Sequence, residues 1–347
     1  KKEKMMSEKE AVVITGGGGF IGAQVSKTFA NAGYDVIVID SGSRKWATKN
    51  YTVFPHDFSS SSTAGILEMF KPSTVVHLAA SHVVPDSVND PGKYYKNNVS
   101  GTQALLDMCV KSGVKNFIFS GSSSVYGEQE VKQPFLESQT PNPMSPYAMT
   151  KHMTELMLED YHKAYGLNYV STRYFNAAGA DPEGLNGYTQ EPATHVMPII
   201  IDKILNDETF TVFGNDYDTA DGTNVRDYCH IQDIADAKLK AVEYLNNGGE
   251  SGDCTITTRM PDDTLDKTLA TSDRVEIDLS GRVQELHWVS FADVLIIGHW
   301  KGQGSVHVPL PQLVVEGRSR GWRHNYIDPQ NTLVQRSCCT LLMRPSF

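Results

Sequence analysis

The sequence predicts an α/β fold, a doubly wound parallel sheet with a smaller C-terminal substrate domain. Two observations carry this. From Ala11 onward, short β-branched runs alternate with longer helical patterns, the arrangement that parallel sheets require. The first run leads through a glycine-rich turn, TGGGGFIG, straight into a helical stretch. A change of composition near residue 250 then sets the rest of the chain apart.

Taken in order, AVVIT (11–15) reads as a buried strand and FIGAQVSKTFANAG as a helix closed by Gly33. DVIVID (35–40) is the second strand, and HDF (56–58) follows a third. The helical AGILEMF precedes the strand STVVHLAA (73–80). A long helix from about Lys93 to Ser112 leads to the strand VKNFIFSG (114–121). A second long helix runs from about Pro146 to Tyr165, before the strand NYVSTRYF (168–175). We expect residues 11–175 to form the first domain. Residues 176–250 are a substrate region interleaved with it, and 251–347 an atypical tail.

Bulk properties narrow the function. A net charge of −10 argues against nucleic acid or an anionic membrane as partner. No run of 18 apolar residues is present, and KKEKMMSEKE lacks the apolar stretch of a signal peptide. Five scattered cysteines, an odd number, suit a reducing cytoplasm rather than a disulfide framework. Cys338 and Cys339 are adjacent and form no CxxC; the histidines show no HExxH, so no metal is expected.

The turn after the first strand carries Gly16, Gly19 and Gly22 at G-x-x-G-x-x-G spacing. A tight turn, close backbone approach to pyrophosphate and close helix–strand packing each need such a residue. Free N–H groups at the helix start then face phosphate. A Rossmann-type dinucleotide site is expected. Asp40, ending the second strand, can accept both ribose hydroxyls and would repel a 2′-phosphate, which favours NAD over NADP. Arg44 and Lys45 nearby pull the other way. Asp57 is placed for the adenine amino group, or is a capping residue.

SPYAMTK (145–151) puts Tyr147 and Lys151 one helical turn apart. Alone the pair is weak; beside a cofactor site it is chemistry. A phenol with a pKa of about 10 is a poor base at neutral pH. A nearby ammonium and a cationic nicotinamide are expected to lower it. Tyr147 is then the base for a substrate hydroxyl, with Lys151 also on the nicotinamide ribose. SGSSSVYG (120–127) offers Ser122 for the reacting oxygen, with Ser124 as competitor.

Over about residues 11–245 the chain resembles the UDP-glucose 4-epimerase family, of the extended short-chain dehydrogenase/reductase branch. TGGGGFIG, HLAASHVVPDSV, YYKNNVSGT, NFIFSGSSSVYG, SPYAMTK, RYFNAAGADP, EPATHVMP and FGNDYDTADGTNVRDYCHIQDIADA carry the resemblance. It implies that Phe20, Ile21, Asp40, Ser41, Asp57, Phe58, Leu78, Ala79, Ala80, His82, Asn98 and Phe175 belong to the NAD site. His82 stands where the family usually has lysine, and Ser41 where asparagine is common. Ser122, Tyr147 and Lys151 match the catalytic trio, with Ser124 beside the substrate. Asn176, His195, Phe213 and Arg226 match positions holding the UDP part, although His195 could equally cap the helix of VMPIIIDKIL. The implied reaction is reversible oxidation at C4 through a 4-keto sugar, without net redox change, within galactose metabolism. A homodimer pairing the two long helices is implied as well.

Three alternatives are weighed. A 4,6-dehydratase needs an acid pair where this chain has Ser123 and Ser124. An epimerase for another UDP-sugar (N-acetylhexosamine, pentose or uronate) would use the same machinery. A protein that binds NAD or a nucleotide sugar with impaired activity is suggested by the tail. After residue 250 the chain has 2 Lys and 8 Arg against 18 and 3 before it, so the segment is of different origin or out of frame. Neither the family's strand ending in Asn-Leu-Gly nor its Arg-x-Gly-Asp segment is legible there, and GWRHNY (321–326) matches only faintly. ADVLIIGHW (292–300) also departs from the family's pattern.

Overall fold

In the computed structural model AVVIT forms β1 (Ala11–Thr15), of which all but the first residue are buried. An apolar run without alternation is what a strand covered on both faces requires. Helix α1 (Phe20–Asn31) starts from Gly19 and stops at Gly33, whose φ of 97° reverses the chain into β2 (Asp35–Ile39). The third strand, β3, is Thr52–Phe54, and α2 spans Ser61–Phe70. β4 is Thr74–His77. A short helix absent from the sequence reading, α3 (Val84–Asn89), comes next.

The first long helix is composite. α4 (Pro91–Tyr94) is capped by the Asp90 carboxylate, Tyr95–Ser100 is a π-helical turn, and α5 is Gly101–Lys111. β5 (Asn116–Ser120) is wholly buried. α6 (Pro146–Tyr165) has the expected bounds: the Ser145 hydroxyl accepts from the Ala148 N–H, Pro146 opens the first turn, and Gly166 ends the helix at φ 70°. β6 is Asn168–Tyr174. Further along lie β7 (Asn176–Ala178), α7 (Val196–Leu205), β8 (Phe210–Val212), β9 (Arg226–His230), α8 (Ile231–Asn246) and β10 (Gly252–Ile256).

The structure describes residues 9–42, 51–129, 135–181, 183–206, 208–214, 216–217, 222, 224 and 226–256. Beyond them it gives the backbone strands Glu276–Ile277, Val306–Val308, Val314–Glu316, Arg323–Ile327, Leu333–Ser337 and Thr340–Leu342. Arg44, Lys45, Cys338, Cys339, residues 292–300 and part of GWRHNY lie outside the described residues. Among the described residues no helix is long and apolar enough to cross a membrane.

Two units result. The first holds the chain up to Phe175 together with Gln232–Ile256. Its seven strands pair in the order β10-β6-β5-β4-β1-β2-β3, all parallel. The order reverses between β1 and β4, and ligands of such sheets bind outside the carboxyl ends at that point. Alternate residues of each strand face opposite sides. Val13, Ile37, Val75, Phe117 and Phe119 pack with Leu67 of α2, Leu105 of α5 and Leu158 of α6. Val12, Ile14, Val38, Ile118 and Val170 pack with Val25 and Phe29 of α1 and Ala235, Ala241 and Val242 of α8.

β10 corrects the sequence reading, which found no strand after α8. Gly252–Ile256 pairs in register with β6, Cys254 opposite Thr172. The second unit holds Asn176–Ile231 and strands of the tail. In it β7 and β9 run parallel, Asn176 opposite Tyr228.

Candidate active site

The glycine turn leaves β1 at the carboxyl edge of the sheet. Gly16, at φ 71°, presses against the next strand's extension, and a Cβ there would sit 2.7 Å from the Ala79 nitrogen. A Cβ at Gly22 would sit 2.0 Å from the Gly16 carbonyl oxygen, so the helix start and the turn touch backbone to backbone. The Asp40 carboxylate closes this cradle. One oxygen accepts from the Gly18 N–H at 3.0 Å and the other from the Gly42 N–H at 2.8 Å, tying the turn to the end of β2. Ser41 is exposed beside it.

The β4 edge is pinned from below. The Leu78 N–H donates to the Thr15 carbonyl at 3.1 Å, and His77 lies buried between the Thr15 and Thr102 hydroxyls at 2.6 and 3.0 Å. Burial, then the charges of Lys151 and Lys238, lower the His77 pKa to about 3, so the ring is neutral. Asn98, in the π-helical turn, grips the loop after β4. Its amide oxygen accepts from the Ser81 N–H, and its amide nitrogen donates to the Ser81 carbonyl, each at 2.9 Å. A third bond reaches the Thr150 hydroxyl.

At the same edge, Lys151 of α6 is buried with its Nζ donating to the Ser120 carbonyl at 2.7 Å. The ammonium lies 4.7 Å from the Phe119 ring centroid and 5.8 Å from that of Tyr147. Burial lowers its pKa to about 8, against the raising influence of Glu155. Tyr147 hydrogen-bonds Ser122. Ser122 in turn accepts from the Ser124 hydroxyl at 2.8 Å and from the Ser124 N–H at 3.2 Å. Ser122 is therefore the serine on the phenol, and Ser124 stands behind it.

In the chain by itself the phenol's shift runs opposite to the lowering expected beside a nicotinamide cation. The Tyr147 ring keeps some exposure, but its phenol is enclosed, and burial pushes its pKa up rather than down. Tyr174 and Tyr94 add to the rise, and only the Ser122 bond opposes it. Lys151 supplies no resolved lowering in the chain by itself.

Other assigned residues fall in varied places. Asp57 is exposed, and one carboxylate oxygen accepts from both the Ser59 N–H and hydroxyl, a local turn ahead of α2, whose N-cap is Ser60. The Phe58 ring is core, 4.8 Å from His77. Phe20, Ile21, Gly19, Leu78, Ala79 and Ala80 are partly exposed along the edge, His82 is exposed, and Phe175 stacks on Phe135. In the second unit, the Asn176 amide donates to the carbonyl of Asp227, the residue after the exposed Arg226. His195 occupies the N-cap position of α7 without capping by its side chain; its Nδ1 lies 3.1 Å from the Thr194 hydroxyl and 3.3 Å from the Tyr188 hydroxyl. Phe213 is 80% exposed.

Sequence reasoning missed two groups. Lys238 is fully buried in α8, and Glu155 of α6 takes two bonds from Arg173 of β6 and one from Ser171. The signal for Lys238 was available: it falls on the apolar stripe of Ile234, Ala235, Ala241, Val242 and Leu245.

Residues 12–256 match the model of the NAD dependent epimerase/dehydratase family. The chain belongs to that family. Its cofactor is NAD, and the glycine cradle, closed at both contacts, with a buried carboxylate at the end of β2, fits that group. UDP-glucose 4-epimerase of Rhizobium leguminosarum bv. trifolii is 40% identical over 246 residues, 70% of this chain and 75% of that one. The crystal structure of UDP-glucose 4-epimerase from Brucella ovis in complex with NAD superposes with a TM-score of 0.69 at 40% identity, covering 72% of this chain and 78% of that one. UDP-N-acetylglucosamine 4-epimerase from Methanobrevibacter ruminantium M1, in complex with UDP-N-acetylmuramic acid, gives 0.63 at 33% identity, covering 72% and 77%. As a member of this family the chain is an NAD-dependent enzyme with the tyrosine–lysine pair at its sheet edge.

Proposed function

We propose that this protein interconverts UDP-glucose and UDP-galactose at C4 through a 4-keto intermediate. The observation that carries the reading is the Ser122–Tyr147 hydrogen bond one helical turn from Lys151, at the carboxyl edge that holds the glycine cradle. NAD, when bound, supplies the hydride acceptor and donor and a positive charge in its oxidised form. Gly16, Gly19, Gly22, Asp40 and Lys151 hold it. Tyr147 takes the proton of the 4-hydroxyl and returns it after the sugar has turned over. Ser122 holds the reacting oxygen, and Lys151 keeps a cation by the phenol ring. Asn176, His195, Phe213 and Arg226 are the residues assigned to UDP, the guanidinium suiting the diphosphate. A phenol whose pKa is raised by burial holds its proton tightly and, once ionised, is a strong base for the 4-hydroxyl; Ser122 supports that phenolate.

Dehydration lacks its acid pair, since Ser123 and Ser124 stand beside the catalytic serine. A second sugar class is favoured by one finding: a relative of similar fold is an N-acetylglucosamine epimerase. We further propose a cytoplasmic homodimer joined through the long helices, on which Tyr95, Met153, Leu156 and Tyr165 are exposed.

The test is conversion of UDP-galactose to UDP-glucose, read by a coupling dehydrogenase, with UDP-N-acetylgalactosamine in parallel. We expect the hexose to turn over and Tyr147→Phe to slow it at least about a hundredfold. Conversion of the N-acetylated sugar alone would overturn the substrate assignment, and unchanged turnover in Tyr147→Phe would overturn the base.

A further inference from the structure

A buried lysine without a counter-ion is costly to keep, because the ammonium loses its hydration and gains no opposite charge. Lys238 is such a residue. It is 0% exposed, and its Nζ donates to the Thr172 hydroxyl at 2.7 Å. Among the described residues no carboxylate pairs with it. The groups facing it are Thr172 and Tyr174 of β6, Cys254 of β10, His77 of β4 and Lys151 of α6.

Its seat explains its reach. Thr172 passes the contact on, its hydroxyl donating to the Phe119 carbonyl at 2.9 Å. The next carbonyl of β5, that of Ser120, receives Lys151. Ser120 and Thr172 are register partners on neighbouring strands. Two lysines, one from α8 and one from α6 on opposite faces of the sheet, therefore converge on consecutive carbonyls at the strand end beside Ser122 and Tyr147. The Lys238 ammonium also lies 5.5 Å from the ring centroid of Tyr174, a neighbour of the Tyr147 phenol.

We propose that Lys238 is a positioning residue of the reaction centre: through Thr172 it holds the strand end on which Lys151 is seated, and its charge is coupled to that of Lys151 across the sheet. The proposal deepens the epimerase reading and rests on it for its catalytic meaning. Burial and the Lys151 charge lower the Lys238 pKa to about 7, against about 8 for Lys151.

The coupling is read without turnover, from pH titration of the lysine side-chain carbon signals by NMR in the NAD-loaded protein. In Lys151→Met the midpoint of Lys238 moves up by about one unit or more, because a like charge is gone. In Lys238→Arg, a permanent cation, the midpoint of Lys151 moves down, and the alkaline limb of kcat moves down with it. Lys238→Met removes the lower titration and the hold on Thr172, and kcat falls with KM unchanged. Lysine midpoints unmoved in both Lys151→Met and Lys238→Arg overturn the proposal, whatever the assay shows. Coupled midpoints without epimerase turnover in the unaltered protein overturn the functional reading and leave the coupling standing.

Discussion

At the scale of single residues, the proposed chemistry rests on a phenol made reluctant to ionise. Burial raises the Tyr147 pKa, and Ser122 gives the bond that favours the phenolate. Tyr147→Phe removes both proton carrier and bond. Turnover should fall roughly a hundred- to ten-thousandfold, while bound NAD, read by its release on denaturation, stays near the unaltered level. Gly22 makes the opposite case. An added methyl 2.0 Å from the Gly16 oxygen must push the helix from the turn. Gly22→Ala should therefore lose NAD on purification, and NAD content measures this directly. Both residues were legible in sequence, because spacing alone marks a turn and a helical pair. The direction of the phenol shift was not, since it comes from burial in the enclosing fold and then from the charges of Tyr174 and Tyr94.

At the scale of elements, β10 is the instructive one. GDCTI is short, carries glycine and aspartate, and lacks the expected turn after it, so nothing local marked it as a strand. Tertiary partners hold it instead. Asp253 pairs with Arg173, the Thr255 N–H donates to the Glu137 carboxylate, and the Thr255 hydroxyl meets the Tyr126 phenol. Burial first, then the neighbouring Glu155, raises the Asp253 pKa to about 6, and these outweigh Arg173. An acid raised in the folded state is stabilising while protonated. Its contribution is present below the ordinary carboxylate pKa and is lost as pH rises from about 4 to about 6. Asp253→Asn lacks that titration. Thermal melts should show the unaltered protein losing ground to Asp253→Asn between pH 4 and pH 7, by on the order of 2 kcal/mol; a constant difference would remove Asp253 as the cause. The composite first long helix was hidden for another reason, since a π-helical turn leaves the apolar pattern on either side nearly intact.

At the scale of the molecule, one sheet carries the glycine turn and the Tyr147–Lys151 pair at its carboxyl edge, and a buried lysine reaches it from the opposite face. Lys238 escaped notice because a charged residue in a helix is ordinarily solvent-facing. Its place on the apolar stripe was the available signal. Its pKa is lowered from an ordinary value of about 10.5 to about 7. The folded protein therefore loses stability as pH falls through that interval, and the penalty is complete near neutrality. Lys238→Met should raise the melting temperature at pH 7, reflecting a stability gain on the order of 2–4 kcal/mol that shrinks towards pH 10. Stability given up at a site that serves chemistry is a common pattern. The alternation of elements and the nucleotide-binding turn were readable from periodicity and spacing. The tail beyond residue 256 follows neither, and the family match ends there.

The most direct measurement of the central claim follows one deuterium. UDP-galactose labelled at C4 is incubated with the protein, and the product is analysed by NMR and mass spectrometry. Hydride removed and returned at the same carbon yields UDP-glucose with the label still at C4. Product whose C4 label has exchanged with water, or no inverted product at all, would contradict the account.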